Sequence, residues 1–141
     1  MILLDTDHVN VLQDQQTSEY ATLMRNISAS LDQDLVTSVV SFEEQMRGWL
    51  ALINRHADVA QQVYPYDRLN TLVQFFCQWT LLPFDDAAAS QFKLLRGQKI
   101  RIGSMDLKIA SIALERNLLV LSANLRDFQQ VPNLRVEDWI H

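Results

Sequence analysis

Residues 1–7 read MILLDTD. Ile2 to Leu4 is an unbroken apolar run, the pattern of a strand buried on both faces. It stops on two carboxylates, Asp5 and Asp7, on either side of Thr6. A single turn residue would end a strand, so two acids raise the question of what lies beside that end. In an open parallel α/β sheet, ligands bind beyond the carboxyl ends of the strands. The other strand ends, and the acids near them, therefore decide what the stretch means.

Working outward, Leu35 to Val40 reads as a second strand ending at Ser41, and Leu81-Leu82 as a short third. Leu118 to Leu121 is another buried strand, and Leu134 to Val136 a short last one before Trp139-Ile140. Helical spacing fills the gaps. Ser18 caps a helix carrying Tyr20, Leu23, Met24, Ile27 and Leu31. A long helix runs from about Phe42 to Val63 and breaks at Pro65. Asp67 caps the next, and Asp85 or Asp86 caps one through about Leu95. After a basic loop, Gly97 to Gly103, Ser104 starts a helix that Asn117 ends, because Asn tolerates the left-handed conformation. Apolar strands separated by helices predict an α/β fold: a mainly parallel central sheet between two helical layers, an α/β/α sandwich.

At 141 residues, 48% hydrophobic and with six Gly plus Pro, the chain is expected to be one domain, residues 1–141, with one core. The lone Cys77 excludes an internal disulfide and reads as a core residue. Met1 to Leu4 is too short for a signal peptide, and no apolar run approaches the ~18 residues of a membrane span. The cytoplasm is the expected compartment. The net charge of −5 argues against a generally basic nucleic-acid binder. Lys93, Arg96, Lys99, Arg101 and Lys108 nevertheless fall close together, with Asp106 the one acid among them.

Four acids can face one cleft. Asp5 ends the first strand. Glu44 lies a few residues beyond the second, in the expected first turn of the long helix. Asp106 is two residues past Ser104, and Asp127 follows the Leu118–Leu121 strand by a short turn. Helix starts favour carboxylates by only ~0.3–1 kcal/mol each, so without a cation one or more of the four takes up a proton. Oxygen-only donors, with no cysteine and no nearby histidine, select Mg²⁺ or Mn²⁺ over zinc. Such an ion suits phosphodiester hydrolysis. Asp5, Glu44 and Asp106 are then the expected ligands, and Asp127 either binds the ion or orients the attacking water. The basic residues from Lys93 to Lys108 are candidates for phosphate contacts that position a nucleic-acid strand. His8 and His56 read as structural or surface groups. Ser122 lacks a neighbouring histidine and a Gly-x-Ser-x-Gly elbow, so it is not read as a nucleophile.

The same residues carry a resemblance. LLDTDHV at 3–9, TSVVSFEEQMRG at 37–48, LPFDDAAA at 82–89, IGSMDLKIASIA at 102–113 and LSANLRDFQQVPNL at 121–134 are similar to PIN-domain nucleases. Within these nucleases they resemble specifically the VapC-like toxins of type II toxin–antitoxin systems. The resemblance implies a PIN-like fold, an acidic quartet that binds a divalent ion and cuts RNA, a cognate antitoxin and a homodimer. It maps the quartet to Asp5, Glu44, Asp106 and Asp127, with Gly48 picking out Glu44 while Glu43 competes for the role. Thr6, Ser122 and Asn124 would support the acids, and second-layer bonds of that kind fix ligand orientation. Two positions depart from the family pattern: Asp7 stands where Asn is common, either as a further support or as a ligand, and Ala123 replaces a frequent polar residue. Trp49, Phe75, Phe76 and Trp79 offer apolar surface for core or dimer contacts. Three other readings compete: an RNA-processing nuclease without an antitoxin, a catalytically weak RNA- or protein-binding module, and a small phosphatase beginning Asp-x-Asp.

Overall fold

The computed structural model describes Met1–His141. Five strands, β1 (Ile2–Leu4), β2 (Leu35–Ser38), β3 (Leu81–Leu82), β4 (Leu119–Leu121) and β5 (Arg135–Glu137), form a sheet in the order β3-β2-β1-β4-β5. Every pairing is parallel, with Leu3 facing Val36 on one side and Val120 on the other. All five strands therefore present their carboxyl ends at one edge, and β1 lies in the middle.

The helices are α1 (Thr6–Gln13), α2 (Ser18–Ala29), α3 (Val39–Arg55), α4 (Val63–Phe76), α5 (Asp86–Gly97), α6 (Ser104–Arg116) and α7 (Leu125–Phe128). They cover both faces because the strand residues alternate. Leu3, Val36, Leu82 and Val120 pack with Leu95, Leu107, Ile109, Ala110 and Phe128 from α5, α6 and α7. Ile2, Leu4 and Leu121 pack on the opposite side with Val9, Leu72 and Phe76, beside Phe42 and Trp49 of α3. A third, smaller cluster joins Leu23 and Ile27 of α2 to Ile140. The layers are those expected from the sequence, and the sheet is wholly parallel.

Several boundaries differ from the sequence reading. β2 ends at Ser38, whose hydroxyl accepts from the Ser41 amide and caps α3, so α3 begins at Val39 and not at Phe42. The long helix stops at Arg55. A 3₁₀ turn (Val59–Gln62) then leads directly into α4. Pro65 lies in the first turn of α4, where a missing N–H costs nothing. Asp67 is inside that helix and is not its cap. α1 and α7 went unread because both are short: α1 has only two buried positions, and α7 is a single turn. Thr17, not Ser18, caps α2, and Asp85 caps α5. Asn117 adopts φ 55°, as its place at the helix end requires. Cys77, expected in the core, is exposed just past α4, where the helix has turned its buried face toward Phe76.

Candidate metal centre

Asp5 is the first residue beyond β1. Its Oδ1 accepts from the Thr6 amide at 2.7 Å and so caps α1. The strand ends on a carboxylate partly because a helix begins at the next residue. Its Oδ2 accepts from Ser122 Oγ, just past the end of β4, at 2.8 Å. Asp5 is only 5% exposed. Glu44 is reached from β2 through α3 and lies in its second turn, one turn later than the sequence reading placed it. Asp106 is in the first turn of α6, as expected. Asp5, Glu44 and Asp106 each bring one carboxylate oxygen within 4.8 Å of the others.

Burial raises the proton affinity of all three acids, and neighbouring carboxylates add to it. Burial, then the charge of Asp7, pushes Asp5 from 3.8 up to about 7, against the hydrogen bonds from Ser122 and Thr6. Burial and then Asp106 push Glu44 up. Burial also raises Asp106, opposed by its bond from Asn124 and reinforced by Asp127 and Asp7. The Thr6 hydroxyl lies beside Glu44 and offsets part of its rise, yet neither Thr6 Oγ1 nor Glu44 Oε1 completes a hydrogen bond of normal geometry. A buried carboxylate oxygen with no donor is costly unless a cation meets it.

A hard divalent cation fits this donor set. Two oxygens on one Mg²⁺ at ~2.1 Å lie at most ~4.2 Å apart. Oxygens within 4.8 Å of one another would hold such an ion directly or with one member acting through water. Glu43 is not part of this group, and its carboxylate pairs with Arg47 at 2.6 Å, one turn along α3. Glu44→Gln is accordingly expected to weaken Mn²⁺ binding by about tenfold or more, and Glu43→Gln to leave it within about twofold, by calorimetric titration.

Asp127, on α7, stands outside the trio and is joined to it through Asn124. The Asn124 side-chain nitrogen donates to Asp106 Oδ2 and to Asp127 Oδ2, both at 3.0 Å. An amide nitrogen carries two hydrogens, so both are committed. Ser122 Oγ, which donates to Asp5, in turn accepts from the Asn124 amide at 3.0 Å. Asp7 is not one of the trio, although its charge raises the proton affinity of all three. Its Oδ2 accepts from the Ala123 amide at 2.8 Å, and its Oδ1 from the His8 amide at 2.6 Å. Ala123 thus acts through its backbone, and losing a polar side chain there costs this loop no contact of that kind.

The basic residues divide. Arg96, although exposed, folds back on its own loop, donating to the carbonyls of Ile100 and Ile102 at 3.0 and 3.1 Å and lying over Phe92. It shapes the loop that leads into Asp106. Lys93, Lys99 and Arg101 are exposed, Lys108 lies over Phe84, and none of the four is ion-paired. Gly48, one turn after Glu44, has nothing within 4 Å of where a Cβ would stand. The chain's own packing does not require glycine there. Gly48→Ala is expected to stabilise the fold by about 0.5–1 kcal/mol in urea unfolding, through helix propensity alone.

No family model matches the chain. It is 33% identical over 79 residues to a tRNA(fMet)-specific endonuclease VapC of Salmonella typhimurium, an alignment covering 53% of this chain and 60% of that one. It is 30% identical over 81 residues to a ribonuclease VapC2 of Haemophilus influenzae, covering 55% and 61%. The chain thus spans about 60% of the length of these curated relatives. Among solved structures, a VapBC-1 chain from nontypeable Haemophilus influenzae superposes with a TM-score of 0.70 at 21% identity, over 100% of both chains. At that identity the match establishes the fold, which is that of VapC PIN-like proteins.

Proposed function

We propose that this VapC-like chain is a divalent-metal-dependent endoribonuclease that hydrolyses RNA phosphodiester bonds, with Mg²⁺ or Mn²⁺ as its cofactor and a cognate antitoxin as its partner. The observation that carries the reading is the convergence of Asp5, Glu44 and Asp106, with one buried Glu44 oxygen left without a donor. These three would hold the ion, which supplies charge for the scissile phosphate and acidifies a water. The rest falls to the chain. Asn124 holds Asp106 and Asp127 at a fixed separation, leaving Asp127 to orient the attacking water or add an oxygen. Ser122 fixes the rotamer of Asp5. Lys93, Lys99, Arg101 and Lys108 would take the flanking phosphates, with Arg96 holding their loop in shape. On a chain of net charge −5 this contact is local, so binding should weaken steeply with salt.

Two surfaces support the protein partners. A groove between α1, α3 and α4, with Leu12, Trp49, Leu72 and Phe75 beside polar Gln13 and Arg68, is suited to an amphipathic antitoxin segment. Val59, Val63, Tyr64 and Tyr66 are exposed along the 3₁₀ turn and the start of α4, an apolar patch suited to a homodimer contact.

The test is cleavage of a labelled small-RNA pool by purified, inhibitor-free protein with Mg²⁺, Mn²⁺ or EDTA, and with Asp5→Asn as control. Discrete cuts that need metal and vanish in the variant are expected. Folded protein that cuts nothing with either metal would replace the nuclease by the binding-module reading.

A further inference from the structure

His8 is fully buried, yet it bonds none of Asp5, Glu44 and Asp106 directly. Its ring bridges two distant parts of the chain. Nδ1 lies 2.6 Å from Asp7 Oδ1, and Nε2 lies 3.2 Å from the backbone nitrogen of Trp139. The Trp139 N–H can only donate, so Nε2 accepts and carries no hydrogen. The ring proton is therefore on Nδ1 and points at Asp7. Asp138 Oδ1 stands 3.8 Å from Nε2, beyond hydrogen-bond reach.

Asp7 is where this bond matters. Its Oδ1 takes the His8 amide and the His8 ring, and its Oδ2 takes the Ala123 amide. The Ser122 hydroxyl has a single hydrogen. It lies 2.8 Å from Asp5 and 3.4 Å from Asp7, so the hydrogen goes to Asp5. The grip of Asp7 on the loop after β4 is therefore the Ala123 amide. That loop presents Ser122 to Asp5 and Asn124 to Asp106 and Asp127.

We infer that His8 is a positioning residue: its Nδ1–H locks the Asp7 carboxylate on the Ala123 amide and so holds the loop that orients the metal-binding acids. Its other nitrogen ties this lock to the C-terminal turn, which is itself anchored by Asn26 donating to the Trp139 carbonyl and by Ile140 packing on Leu23 and Ile27. The part that concerns metal rests on the proposed function; the lock itself does not.

Two isosteres separate the halves of the bridge. His8→Asn places an amide nitrogen where Nδ1 stands and keeps the donor to Asp7. His8→Gln reaches the Nε2 position, keeps an acceptor for Trp139 and loses the donor to Asp7. In metal-free protein, hydrogen exchange of the Ala123 amide is expected to quicken by about tenfold in His8→Gln and to stay within about threefold of the original in His8→Asn. Mn²⁺ affinity should follow the same order, falling about tenfold only in His8→Gln. Equal exchange in both variants, whether fast or slow, would overturn the inference. Should neither variant fold, the ¹⁵N spectrum of the imidazole in the unmodified protein decides: a proton on Nδ1 is expected, and a proton on Nε2 would refute the lock. Failure of the unmodified protein to bind Mn²⁺ would instead count against the proposed metal site, leaving the exchange result to stand by itself.

Discussion

Replacing Asp5 by Asn is expected to abolish RNA cleavage, by about a thousandfold or more, while making the metal-free protein more stable at pH 8. The two effects share a cause. Asp5 is buried beside Asp7 and Asp106, and its folded-state pKa is about 7 against 3.8 in its ordinary setting. A carboxyl raised in this way binds its proton more tightly when folded than when unfolded. Its contribution favours the fold fully below about pH 4 and is lost as pH rises through about 7. The gap corresponds to at most about 4 kcal/mol. Asn retains an oxygen for the Thr6 amide, its nitrogen donates to Ser122 Oγ in a reversal of the native bond, and it carries no charge. A gain of about 2 kcal/mol at pH 8 in EDTA is expected by urea unfolding, shrinking toward zero or reversing at pH 5, where the native carboxyl holds its proton. Because the ion requires the carboxylates ionised, Mn²⁺ should also raise the melting temperature of the unmodified protein more at pH 8 than at pH 6. An Asp5→Asn protein that is less stable than the original at pH 8 would mean that the buried Asp5 charge, beside Asp7, is not what burdens the site.

The second large effect is expected at a residue with no charge. Asn124→Ala removes the single amide that separates two carboxylates, Asp106 and Asp127. Asp106 then loses the hydrogen bond that lowers its pKa and keeps the neighbour that raises it. Metal affinity and cleavage should each fall by about 10- to 100-fold, with the loss of affinity deeper at pH 6 than at pH 8, since protons compete better for a carboxyl whose pKa has risen. Asn124→Asp is a harsher change in charge but not in shape, and it should be worse than Ala. A substitution by Ala that lowers activity equally at both pH values, with metal affinity intact, would confine Asn124 to holding the loop.

How much of this was legible in the sequence differs by element. The apolar runs at Ile2 to Leu4 and Leu118 to Leu121 revealed a sheet buried on both faces, since nothing polar interrupts either. Asp106 could be placed from Ser104 onward because a helix start is a local feature. The start of α3 could not: Val39 and Val40 continue the β-branched run of β2, and only the Ser38 cap, formed in three dimensions, turns the chain into a helix there. That misplacement moved Glu44 by a turn without removing it from the cleft. Separating Glu44 from Glu43 takes the three-dimensional placement: Glu44 gathers with Asp5 and Asp106, while Glu43 pairs with Arg47, an i, i+4 pattern already visible in the sequence. Asp7 stood open between support and ligand, and the Ala123 and His8 amides turn it toward support. His8 was missed as part of the site because its second partner is 131 residues away and is a backbone nitrogen, which leaves no trace in residue type.

The central claim is that Asp5, Glu44 and Asp106 form one cation site. Calorimetric titration of Mn²⁺ into metal-free protein at pH 8, beside Asp106→Asn, tests it most directly. Saturable binding in the original protein, weakened by about a hundredfold in the variant, is the predicted result. Equal affinity in the two proteins, or no saturable binding to the folded original, would contradict it.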